Sequence, residues 1–99
     1  MAQTTIGDLL TRLKIDIGIV NNTVYDTRLT ILLNAAKGAV EKEVGETIDI
    51  NIVEDAEIII DYARWMWLSR REPTAMPASL RWRINCRAFQ RNIPGGSDS

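Results

Sequence analysis

The sequence contains no histidine and only one cysteine, Cys86. Without histidine, the commonest general base and metal ligand is missing. Serine or cysteine nucleophiles activated by an imidazole are therefore excluded. A single cysteine excludes an internal disulfide framework and any metal site built on clustered thiolates, and it suggests a reducing compartment such as a cytoplasm. No apolar run approaches the ~18 residues of a membrane span. The opening Met1-Ala2-Gln3-Thr4-Thr5 carries no basic region or cleavage signal, so export is not expected. An Asn21-Asn22-Thr23 triplet fits the glycosylation pattern and is discounted on the same ground. The pair Gly95-Gly96 has no helix after it to cradle an anion.

Ninety-nine residues suit one small domain, here 1–92 with a flexible tail over 93–99. An apolar share of 45% and a charged share of 25% are ordinary for a soluble globular chain. The net charge is −1, yet the charges are segregated. Residues 1–62 hold five Lys or Arg against eleven Asp or Glu, a net −6. Residues 63–99 hold seven Arg and no Lys against Glu72 and Asp98, a net +5. The arginine fork suits carboxylates and phosphates. Three arrangements fit this pattern: a basic surface for nucleic acid, neighbouring copies attracting through opposite ends, or a monomer neutralised internally.

Hydrophobic periodicity predicts an all-α chain of four main helices joined by short linkers. The first runs from about Thr5 to Ile17, with Thr5 and Asp8 forming a capping box and Gly18 as the stop. Asp8 and Arg12 are spaced to pair on its outer face. The second spans about Val24 to Val44, with Tyr25, Leu29, Leu32, Leu33, Ala36, Val40 and Val44 inward. Asp26, Thr30, Asn34, Lys37 and Glu41 face outward, and Lys37 and Glu41 are spaced to pair. Gly38 inside it either permits close approach of another helix or is simply tolerated. Glu46 to Ile50 reads as a clip over the helices, with Asp49 or Asn51 capping the central helix.

That central segment, about 51–71, is apolar on almost every side and should be the buried centre of the bundle. Ile52, Ala56, Ile59, Ile60, Ala63, Met66 and Trp67 make one face, and Ile58, Tyr62 and Trp65 a second. Glu54, Glu57, Asp61 and Arg64 leave a narrow polar strip. Trp65 and Trp67 point in different directions on a helix, so either both are core or one faces a partner. The fourth helix runs from about Pro77 to Gln90. Leu80, Ile84 and Ala88 line one side, and Trp82, Cys86 and Phe89 another. Between them Arg83, Arg87 and Arg91 form a basic ridge, flanked by Arg81.

No catalytic set emerges. Asp55 with Asp61, or Glu54 with Glu57, offers a carboxylate pair, but on a helix such clusters are more often a solvated strip. Cys86 lies on an apolar line, where thiols are usually inert. Neither an enzyme activity nor a cofactor or metal is expected. The arginine ridge is the strongest chemical feature, suited to a phosphate backbone or to an acidic neighbour.

The chain resembles the small all-helical head–tail connector (adaptor) proteins of tailed bacteriophages and prophages, over about Thr5 to Asn92. The residues that carry the resemblance are Ile6-Gly7-Asp8-Leu9-Leu10-Thr11-Arg12-Leu13-Lys14 and Asp26 to Leu33 leading into Ala35-Ala36-Lys37. To these add Val53-Glu54-Asp55-Ala56, Asp61-Tyr62-Ala63-Arg64-Trp65 and Met76-Pro77-Ala78-Ser79-Leu80. The Trp65-Met66-Trp67 cluster departs from the more usual aliphatic and tyrosine positions. The resemblance implies a structural virion protein at the neck, made in the bacterial cytoplasm. It implies a ring, usually of twelve copies, below the portal protein, joined to a downstream connector or tail protein. Packaged DNA would pass through without sequence-specific binding, and no membrane is involved. The expected subunit or portal contacts are Arg83, Arg87, Arg91, Trp65, Trp67, Glu57 and Asp61, with Arg91 to Ser99 ordering on docking. The alternative is a small DNA-binding regulator using the last helix. Its weakness is that Trp82, Ile84, Cys86 and Phe89 leave that helix little free polar face.

Overall fold

A computed structural model describes residues 4–19 and 23–92 of the protein, with side chains through Phe89. The described residues form four helices and no strand. The predicted tail over 93–99 lies outside them, as do Asn21 and Asn22 of the discounted glycosylation triplet.

Helix α1 spans Ile6–Ile17 and opens with the predicted capping box. The Asp8 N–H donates to Thr5 Oγ1 at 3.2 Å, and the Thr5 N–H donates to Asp8 Oδ2 at 2.9 Å. Two of the helix's orphan donors are thereby satisfied. Gly18 ends α1 with φ at 81°, a left-handed conformation that a side chain would strain. Asp8 works in the cap, and Arg12 reaches across to Glu57 at 3.7 Å, in place of the expected Asp8–Arg12 pair.

Helix α2 spans Asp26–Val44, starting two residues later than the periodicity suggests. Leu29, Leu33, Ala36, Val40 and Val44 are buried as expected, whereas Tyr25 stays 37% exposed at the N-cap. Asp26, expected to face outward, is half-buried and pairs with Lys14 Nζ of α1 at 2.8 Å. Gly38 is exposed, and a methyl group there would meet nothing within 4 Å. No neighbouring helix needs that glycine, so it is tolerated. Gly38→Ala is expected to raise stability by about 1 kcal/mol, measured as a higher urea midpoint at unchanged m.

Residues 46–52 fold over the bundle as a clip without strand pairing. Ile48 is 2% exposed and anchors it. Glu41 fixes this anchor, because its Oε2 accepts from Lys37 Nζ at 2.8 Å and from the Ile48 N–H at 2.9 Å. The Lys37 contact, then the Ile48 N–H, holds the Glu41 carboxyl below its ordinary 4.5. A carboxylate held low stabilises the fold above its unfolded pKa and loses that contribution as pH falls through the folded value. Glu41→Gln is therefore expected to cost about 1 kcal/mol at pH 7, where a charged partner is lost. Denaturant curves at falling pH should show the gap between variant and parent closing below pH 4.5.

Helix α3 spans Val53–Leu68, shorter at both ends than the predicted 51–71. Neither Asp49 nor Asn51 caps it. Ile52 is the N-cap, with no side-chain cap bond, and Asp49 Oδ1 instead accepts from the Asn51 backbone at 2.9 Å. Asn51 Oδ1 in turn accepts the Thr4 N–H at 2.8 Å, tying the start of the chain to the clip. Seven residues of α3 are buried: Asp55, Ala56, Ile58, Ile59, Ile60, Ala63 and Trp67. The expectation of an apolar helix buried all round needs correction at its ends, where Ile52, Val53 and Leu68 are exposed. Helix α4, Ala78–Asn92, comes after a loop containing both Pro73 and Pro77. It contributes Leu80 and Ile84 to the same core as Leu13, Leu33 and Ile59, each at most 3% exposed. Burying each such side chain is worth about 1.5–3 kcal/mol. The assembled helices make a slab of 46 × 38 × 17 Å.

Candidate interaction surface on α3 and α4

Successive residues on a helix turn by about 100°. With Leu80 and Ile84 in the core, Trp82 and Phe89 must therefore project from the opposite side of α4. They do, at 68% and 67% exposure. Seven residues apart, they stand within about 20° of one another around the helix axis. Cys86, between them in sequence, is half-buried.

The arginine ridge beside this stripe faces acidic residues of the same chain. Arg83 Nη1 donates to Asp61 Oδ2 at 2.7 Å. Arg81 Nη1 donates to Glu43 Oε1 at 2.5 Å. Arg87 donates through Nε to Asp55 Oδ1 at 2.9 Å and through Nη1 to Glu46 Oε2 at 2.5 Å. Arg81, Arg83 and Arg87 of the basic second half are thus neutralised by acidic residues of the first half within the same chain. Burial pushes the Asp61 carboxyl up from its ordinary value, against the opposing pull of Arg83. The Asp55 contact, foremost, raises the Arg87 guanidinium further above its usual value.

Asp55 is where the structure departs most from the sequence expectation. Its type and helical position suggest a solvated carboxylate, yet it is 1% exposed. The signal lies in the spacing: Asp55, Ile59, Ala63 and Trp67 recur every four residues, and all four are buried. An acid on a buried line needs a cation, and Arg87 is that cation. The other oxygen, Oδ2, is buried without a hydrogen-bond partner.

The two tryptophans of α3 diverge as their spacing requires. Trp67 is core, 6% exposed, with the Tyr25 ring edge-on at 5.4 Å and the Arg70 guanidinium 3.7 Å from its centroid. Trp65 is half-buried against Tyr62 at 5.3 Å, and its Nε1 donates to the Thr74 carbonyl at 2.9 Å. It pins the loop between α3 and α4. The fully outward tryptophan is Trp82, which the sequence places on an apolar line. Glu57 is half-exposed beside Arg12. Arg91 lies in α4, but its side chain falls outside the described set.

Between the start of α3 and the middle of α4 runs an open groove of about 740 Å³. Ile52, Ile58, Trp82 and Cys86 give it apolar walls, and Asp55 and Arg87 also line it. Among the described residues no three acidic or thiol groups converge as a metal site, and no helix is long and apolar enough to cross a membrane. Comparison with protein-family models, curated proteins and solved structures finds no match to this chain.

Proposed function

We propose that this protein is a structural assembly subunit, a head–tail connector of the kind its sequence resembles, forming a ring below a phage portal. The observation that carries the assembly role is the outward pair Trp82 and Phe89. Two large exposed aromatics on one line of a helix, with Trp82 also walling the groove, are the composition of a protein contact. A slab 17 Å thick also leaves broad faces for neighbours. In the virion those neighbours are further copies, the portal and the next connector or tail protein, and no catalytic step is required of the chain. The regulator alternative draws no support from α4, since Arg81, Arg83 and Arg87 are already engaged by carboxylates.

Native mass spectrometry of the protein, alone and with the portal, combined with titration of short duplex DNA, tests this. The expected result is a multi-copy species or a portal complex, with no duplex affinity. A monomer that ignores the portal and binds duplex DNA with a steep salt dependence would replace the connector by the regulator.

A further inference from the structure

The polar strip of α3 changes sign along its length. Glu54, Glu57 and Asp61 precede Arg64, and Leu68 completes the line at spacings of three and four. Helix dipoles favour an acid in the first turn, where Glu54 lies, but Glu57, Asp61 and Arg64 fall outside the terminal turns of α3. Nor do dipoles account for exposed apolar side chains at both ends. At the acidic end, Ile52 and Val53 are 45% and 64% exposed beside the groove and Trp82. At the basic end, about 23 Å away along the axis, Leu68 is 56% exposed between Arg64 and Arg71. Both arginines are exposed and belong to none of the ion pairs described above. Glu54 is likewise exposed and outside those pairs.

We infer that the α3–α4 groove receives the Arg64–Leu68 end of α3 from a second copy of this chain. Leu68 enters between Ile52 and Trp82, and its flanking arginines meet Glu54 and Glu57. The occupant is another copy because the chain itself carries the complementary patch, basic and apolar where the α3 edge of the groove carries Glu54 and Glu57 beside Ile52; Arg83 and Arg87 on the α4 side are held by Asp61 and Asp55. Two different patches make the contact heterologous, so it propagates from copy to copy and closes into a ring when the rotation allows. This contact rests on the assembly reading above and gives it a specific geometry.

Charge exchange at two exposed positions tests it without touching the core. Glu54→Arg and Arg64→Glu should each weaken self-association about tenfold or more by setting like charges opposite one another. Light scattering and native mass spectrometry read the size, and circular dichroism verifies the fold. An equimolar mixture of the two variants should recover assembly, since alternating copies restore an opposite pair at every contact. Lack of recovery, unchanged assembly in both variants, or a wild-type chain monomeric at every concentration would each overturn the contact. The connector reading fails by a different result, duplex binding without portal attachment. Assembly that persists in both variants would therefore reject this contact and leave that reading standing.

Discussion

Arg87→Ala should lower the unfolding free energy by about 3–5 kcal/mol, the cost of removing one partner from a buried ion pair. Asp55 is 1% exposed, its Oδ2 already lacks a donor, and Arg87 Nε is what satisfies Oδ1 at 2.9 Å. Without the guanidinium, a carboxylate that is 1% exposed loses the cation that pairs with it. The same change releases Glu46 and loosens the clip that Ile48 anchors. Asp55→Ala should cost less, about 1–3 kcal/mol, because Arg87 keeps Glu46 and its side chain remains 18% exposed. Asp55→Leu combined with Arg87→Met removes both charges together and should fall within about 1 kcal/mol of the parent, or above it. Urea unfolding followed by circular dichroism measures all three variants. An Arg87→Ala cost no larger than that of Asp55→Ala would mean that the carboxylate is not confined as described.

Local signals are the most legible in the sequence. Thr5 with Asp8, Gly18, Gly45, and the Leu29–Leu33–Ala36–Val40–Val44 line all depend on neighbours within one helical turn, and each is where its spacing puts it. What sequence order hides is the partner choice of long side chains. Arg12 has Asp8 four residues away, yet it reaches Glu57 on another helix because the cap engages Asp8. Arg83 and Arg87 repeat every four residues like a surface ridge, and only the antiparallel pairing of α4 with α3 shows that Asp61 and Asp55 lie opposite. The same pairing decides the aromatics. An apolar line through Trp82, Cys86 and Phe89 is as regular as one through Leu80 and Ile84, and periodicity alone does not say which faces the core. The candidate surface is therefore the line that packing leaves over. Its aromatics are visible in the sequence, and their outward direction is not.

The three tryptophans turn that last point into a stability ranking. Trp67→Ala should cost about 3–5 kcal/mol, the range for deleting a large buried aromatic. It opens a cavity in the core and removes the ring that Tyr25 and Arg70 pack against. Against a total of about 5–15 kcal/mol for a domain of this kind, that loss leaves the chain near its unfolding threshold. Trp65→Phe keeps most of the buried ring and loses the bond from Nε1 to the Thr74 carbonyl, for about 1 kcal/mol. Trp82→Ala should stay within about 0.5 kcal/mol, because a side chain 68% exposed gives up little burial when truncated. Denaturant unfolding of the three variants gives the order directly. Assembly should single out Trp82→Ala, which folds normally and fails to associate. A Trp82→Ala cost comparable to that of Trp67→Ala would place Trp82 in the core and remove the surface on which the connector role depends. A neutral Trp82→Ala that also assembles normally would leave the surface exposed and transfer the contact elsewhere on the slab.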